Sequence, residues 1–264
     1  MLNETAASPS DAPSANPNAI PAATLVLFRE SETGPPELLI VERARAMVFA
    51  GGALVFPGGR VDPEDYALAA IYAGDDAHGA ARIAAIRETI EEAGIAVGLS
   101  PQPTIAQLAT IRAGLHAGKP FGALLHNHAL TLDLAALVPF ARWLPAHAHM
   151  RIFDTVFFLA ALPANAPEPI VDATENTRVF WMSAQNVIDE ADAGRATIIF
   201  PTRRNLERLA QFGSFAEARD HARAMPLRTV TPWTEERGDG TYLCIPDDLG
   251  YPITAEAMDS AMRG

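Results

Sequence analysis

Lysine is almost absent from this 264-residue sequence: Lys119 stands alone, and the other nineteen basic residues are arginines. Cysteine is equally scarce. The single Cys244 excludes an intramolecular disulfide and any Cys-based zinc cluster, and it fits a reducing compartment. No apolar run approaches the ~20 residues needed to span a bilayer. No Lys or Arg precedes Arg29, so the basic region that opens a secretory signal is missing. Three motifs are also absent: the Gly-x-Ser-x-Gly elbow, the Gly-x-Gly-x-x-Gly turn and the P-loop. A serine hydrolase, a dinucleotide oxidoreductase and a P-loop kinase each lose their defining element. Basic charge is outnumbered, 20 residues against 32 acidic ones, for a net charge of −12. A nucleic acid backbone would repel such a chain. The expectation is a soluble, cytoplasmic protein without nucleic-acid or membrane partners.

What is present is globular. Hydrophobic residues make up 49% and charged ones 20%, enough for one large domain or a domain with an extension. Residues 1–21, with Pro9, Pro13, Pro17 and Pro21, read as a disordered tail. Strands are expected at 24–28, 37–43, 53–56, 151–162 and 177–182, and helices at 183–193, 202–211 and 214–224. From Ala77 to Ala93 the apolar residues Ile83, Ile86, Ile90 and Ala93 recur at helical spacing, with Asp75 or Asp76 as the cap and Gly94 as the stop. Residues 97–150 mix helical and turn signals, and the last forty read as an irregular extension. His126-x-His128 and His147-x-His149 read as surface or loop histidines. Arg203, Arg204 and Arg208 read as a solvated face that pairs with Glu207.

The informative segment is Arg87-Glu88-Thr89-Ile90-Glu91-Glu92-Ala93-Gly94-Ile95. At about 100° per residue Glu88, Glu91 and Glu92 share one face, opposite the isoleucine stripe. Glu88 and Glu92 repel at i,i+4, and all three lie at the negative end of the helix dipole, costing ~0.3–1 kcal/mol each. A divalent cation would turn that liability into a ligand set, and oxygen donors select Mg²⁺ or Mn²⁺ over zinc. The bland alternative is a solvated acidic face. Upstream, Phe56-Pro57-Gly58-Gly59-Arg60-Val61-Asp62 is a strand end and double-glycine turn, where the backbone can approach a metal or phosphate closely.

Together these segments resemble the Nudix hydrolase signature: Gly, five residues, Glu, seven residues, then Arg-Glu-apolar-x-Glu-Glu-x-Gly-apolar. Arg87, Glu88, Ile90, Glu91, Glu92, Gly94 and Ile95 match its second half, and Gly59 with Asp65 in place of Glu matches the first. Residues 66–86 separate the halves, 21 where the family has seven, so 14 are inserted. The insertion, about residues 66–79, is expected to bulge outward. The runs Arg43 to Asp62, Arg142-Trp143, Arg151 to Phe158, Asp172…Glu175…Trp181 and Pro201-Thr202 are similar to a subgroup related to the peroxisomal coenzyme A diphosphatase, although this chain ends Met262-Arg263-Gly264 rather than on a peroxisomal tail.

The resemblance implies an α/β/α sandwich with a mixed β-sheet and a catalytic loop–helix–loop. The domain would span 22–212, followed by a helical or irregular extension at 213–264. The implied activity is hydrolysis of a diphosphate bond in a small nucleotide substrate, foremost coenzyme A or acyl-CoA. An ADP-ribose or NAD(H) diphosphatase and a catalytically silent binding module are the alternatives. Implied metal ligands are Glu91 and Glu92, with Glu88 and the Gly58 carbonyl. Arg87 would orient the carboxylates, and one of the helix glutamates or Glu175 would be the general base. Arg43, Arg45 and Arg60, with Gly59, flank the loop as substrate-phosphate candidates. Mg²⁺ or Mn²⁺ is the expected cofactor and a homodimer an expected assembly.

Overall fold

The computed structural model describes residues 18–47, 50–145, 152–172 and 174–261. Most of the expected tail and the His147-x-His149 pair lie outside the described residues. Period-two alternation of apolar residues builds the centre. β1 (Ile20–Arg29), β2 (Glu37–Arg43), β3 (Leu54–Val55), β4 (Gly58–Arg60), β7 (Val138–Trp143), β8 (Phe153–Ala161), β9 (Asn176–Ser183) and β10 (Thr229–Val230) form one mixed sheet; β5 (Leu99–Ser100) and β6 (Thr131–Leu132) form a separate small ribbon. β1 begins at Ile20, two residues before the expected onset of order. The cause is its parallel ladder with β8, which runs from Ile20↔Phe153 to Phe28↔Ala161.

Successive residues of these strands point to opposite sheet faces. Leu25, Leu27, Leu39, Val156 and Phe158 enter one core; Val26, Phe28, Leu38, Ile40 and Phe157 enter the other. The first core is roofed by α2 (Gly79–Ala93), α3 (Ile105–His116) and α4 (Phe121–Asn127), the last two lying in the stretch that mixes signals. The second is roofed by α5 (Ala184–Asp192), α6 (Phe200–Leu209) and α7 (Phe215–Ala224). The arrangement is an α/β/α sandwich. No helix among the described residues is long and apolar enough to cross a membrane.

Four expectations are corrected. The insertion does not bulge outward: α1 (Pro63–Tyr72) occupies it and docks on α2 through Leu68, while Glu64 caps the first N–H groups of α4 at Phe121 and Gly122 (3.0 and 2.9 Å). The N-cap of α2 is His78; Asp76 instead accepts from the His78 N–H and pairs with Arg82. The C-terminal segment is not irregular throughout. β11 (Trp233–Arg237), β12 (Gly240–Cys244) and β13 (Ala255–Ala257) form a small sheet ending in α8 (Met258–Ala261), and Ile245, Leu249 and Tyr251 join the second core. Finally, Arg204 and Arg208 are each only 2% exposed. Arg204 bonds Glu207 and Glu256, and Arg208 reaches the Phe140 carbonyl. A charged i,i+3 pair such as Arg204–Glu207 reads as solvated until another segment covers it.

Candidate active site

On one side of β1 the neighbouring strand changes along its length. β2 pairs with its end (Phe28↔Leu38), whereas β4 pairs antiparallel with its start (Thr24↔Gly58, Ala23↔Gly59). The Gly58-Gly59 turn is thereby set against α2. A Cβ on Gly59 would lie 2.4 Å from the Glu88 carboxyl carbon, so only glycine admits the carboxylate there. The other end of the acidic turn closes at Gly94, whose φ of 67° is left-handed and whose N–H returns to the Ile90 carbonyl.

α2 is enclosed on nearly all sides, unlike a surface helix with one wet face. Ile83, Ile86 and Ile90 are fully buried, and Glu92 is only 3% exposed. Arg87 organises the acidic group. Its Nε and Nη2 donate to the two oxygens of Asp65 at 3.2 and 2.9 Å. Nη1 donates to Glu88 Oε1 (2.7 Å) and Glu91 Oε2 (3.0 Å), and Nη2 also reaches the Arg60 carbonyl (2.9 Å). Asp65, wholly buried, accepts as well from the Asp62 N–H at 2.8 Å, which starts α1 beside the loop. Glu92 Oε2 accepts from the Gly58 N–H at 3.0 Å, while Oε1 is buried with no hydrogen-bond partner.

Charge is crowded here. Burial and the Glu88 carboxylate push Glu92 up to about 8, against the pull of Asn176, the Gly58 N–H and Arg43. Burial likewise raises Glu88 to about 7, with Glu91 adding to it. Glu91 is also raised, again by burial, and Arg87 restrains it. Burial would lower the Arg87 guanidinium, but Asp65 and Glu88 more than offset it and hold the charge in place.

Among the described residues no group of three or more His, Cys, Asp or Glu side chains is gathered as a ready-made metal cluster. Glu88 and Glu91 instead meet on one nitrogen, Arg87 Nη1, and Glu92 turns to the Gly58 N–H. The shared guanidinium offsets the repulsion between the first two carboxylates, and the backbone N–H of Gly58 serves the third.

Beside this group lies a cleft of about 920 Å³. Arg43, Gly58, Gly59, Arg60, Glu88 and Glu175 line it, and so do the apolar Met47, Phe56, Trp143, Phe157 and Ile199. Arg43 stands between two acids, 4.0 Å from Glu92 Oε1 and 3.9 Å from Glu175 Oε2. Glu175 sits on the loop before β9, its side chain 54% exposed. The Arg60 side chain is 65% exposed at the rim. Arg87, Glu91 and Glu92 are not among the lining residues, and neither is Arg45, on an exposed turn. Of the first histidine pair, His126 is exposed and His128 half-buried beyond α4. Sequence reasoning missed Asn176, 2% exposed next to Glu92, since an asparagine opening a strand carries no signal of its own. It also undervalued Asp65, whose place in the signature was the available clue.

No family model matches the chain. An acyl-coenzyme A diphosphatase of Gallus gallus is 26% identical over 275 aligned residues, covering 82% of this chain and 73% of that protein. A solved NUDIX hydrolase from Alicyclobacillus acidocaldarius superposes with a TM-score of 0.68 at 28% identity, over 76% of this chain and 96% of that one.

Proposed function

We propose that this chain, which belongs to the Nudix hydrolase family and acts on phosphorus-containing anhydrides, cleaves the diphosphate bond of coenzyme A or an acyl-coenzyme A with the help of Mg²⁺ or Mn²⁺. One observation carries the reading. Glu88 of α2 and the Gly58-Gly59 turn, which also binds Glu92, line one cleft whose walls are charged on one part and apolar on another. Charged residues suit the diphosphate, and Met47, Phe56, Trp143 and Phe157 suit a pantetheine or acyl portion. The similarity to an acyl-coenzyme A diphosphatase supports the same substrate class.

The residues fit a hard divalent cation. Glu92 Oε1 is buried without a hydrogen-bond partner, and burial among like charges keeps Glu88 and Glu92 well above the ordinary carboxylate range. Glu88, Glu91 and Glu92 with the Gly58 carbonyl would hold the cation through oxygen alone. When bound, it would neutralise diphosphate charge and acidify the attacking water. Arg87 and Asp65 keep the glutamates from drifting into solvent. Arg60 and Arg43 offer guanidinium donors to phosphate oxygens. Glu175, open to the cleft, accepts the proton of the water that adds to phosphorus as the anhydride P–O bond breaks, leaving two phosphomonoesters.

The test is a panel of coenzyme A, acetyl-coenzyme A, ADP-ribose, NADH and diadenosine polyphosphates with Mg²⁺ and Mn²⁺, with products identified by mass. Adenosine 3′,5′-bisphosphate from the two coenzyme A compounds, at the highest kcat/KM of the set, is the expected result. Preference for ADP-ribose or NADH would overturn the substrate class, and no turnover of any compound would leave a silent binding module.

A further inference from the structure

The last turn of an α-helix has four carbonyls without partners inside the helix. In α2 these belong to Ile90, Glu91, Glu92 and Ala93, and each is nevertheless bonded. The Gly94 N–H takes Ile90 at 3.0 Å, the Asp172 N–H takes Glu92 at 3.0 Å and the Ile170 N–H takes Ala93 at 2.9 Å. The remaining bonds come from α3. Arg112 Nε donates to the Glu91 carbonyl at 2.9 Å, and Nη2 reaches the Glu92 carbonyl at 3.5 Å. The same Nη2 donates at 2.8 Å to the carbonyl of Ile170. His116, one turn further along α3, meets the Glu91 carbonyl at 3.0 Å.

Arg112 thus touches the backbone of two proposed cation ligands and the loop that leads to Glu175. That loop is short and internally tied. The Asp172 carboxylate accepts from the Thr174 N–H and hydroxyl and, at 3.4 Å, from the Glu175 N–H. Its cation also lies at the negative end of the α2 dipole, where the three glutamates crowd. A planar guanidinium spreads its donors over a fixed fork that reaches carbonyls on two segments; a lysine ammonium gathers its three on one nitrogen and lacks that span.

We propose that Arg112 is a positioning residue for the hydrolytic site: it locks the last turn of α2 to the loop that leads to Glu175, and so fixes the acidic turn relative to the proposed base. The inference rests on the proposed function and gives α3 a role in it. Arg112 touches no reacting atom and acts through Glu91, Glu92 and the 170–175 backbone.

The test compares wild type with Arg112→Lys and Arg112→Met. It reads Mn²⁺ affinity by electron paramagnetic resonance, kcat and KM on coenzyme A, and melting temperature. In Arg112→Lys, Mn²⁺ affinity and kcat are each expected to fall by about 10-fold or more, the range for losing a partner that orients metal ligands. KM should stay within about twofold. Arg112→Met should lose more of both, and if it fails to fold the lysine variant decides alone. Unchanged Mn²⁺ affinity and kcat per folded molecule, with or without a lower melting temperature, would reduce Arg112 to a helix cap and overturn the proposal. Wild type that binds no Mn²⁺ would instead defeat the cation reading on which it rests.

Discussion

Replacing Glu92 with glutamine keeps the shape of the most enclosed carboxylate in α2 and removes its charge. In the folded chain Glu92 titrates at about 8 instead of 4.5. The folded state therefore holds an extra proton between those values, and stability declines as pH rises through the window. A displacement of that size sets a ceiling of about 5 kcal/mol; an effective interior dielectric nearer 20 than 4 brings the expected loss to about 1–3 kcal/mol. Glutamine cannot ionise and escapes the loss. In EDTA at pH 9 Glu92→Gln should melt several degrees above wild type, and at pH 5 the two should nearly coincide. Mg²⁺ at 100 times its Kd should then raise wild type by about 2.7 kcal/mol and the variant far less. Hydrolysis should fall by more than about 10²-fold, beyond the cost of disturbing an orienting partner alone. Differential scanning fluorimetry and a coupled phosphate assay read both effects. A variant that melts below wild type at pH 9 in EDTA, or that hydrolyses at the wild-type rate, would refute the reasoning.

Further substitutions probe the surroundings. Gly59→Ala places a methyl 2.4 Å from the Glu88 carboxyl carbon, so kcat should drop about 10–100-fold with little change in melting temperature; wild-type activity would mean that Glu88 can move aside freely. Glu175→Gln should lower kcat by about 10²-fold or more, whereas wild-type turnover would make Glu175 a bystander. Burial raises Glu207 from 4.5 to about 7 against the pull of Arg204 and Arg203, so the folded state keeps a proton that the unfolded chain has lost, and stability falls as pH rises from about 4.5 to about 7. Glu207→Gln should remove that slope, and equal destabilisation at both ends would show that the charged pair with Arg204 is the favoured form.

The strand 37–43 and the helix ending at Gly94 were legible because each follows a local rule, apolar runs for a buried strand and helical spacing closed by a glycine cap. The partners of the acidic turn were not. Asp65 lies 22 positions from Arg87, and only the docking of α1 brings its carboxylate under the guanidinium. Arg204 and Arg208 looked solvated because their shield, around Tyr251 and Glu256, arrives from some fifty residues downstream. The Glu92 carboxylate meets Gly58, Arg43 and Asn176, on β4, β2 and β9, none of which its own helical pattern announces. The local rules reach within an element; charge burial is decided between elements.

The most direct measurement is anomalous diffraction from crystals soaked in Mn²⁺ at pH 8. The account predicts an anomalous peak bounded by Glu88, Glu91 and Glu92 with the Gly58 carbonyl, and its loss in Glu92→Gln crystals. Manganese at other residues only, or an undiminished peak in the variant, would contradict it.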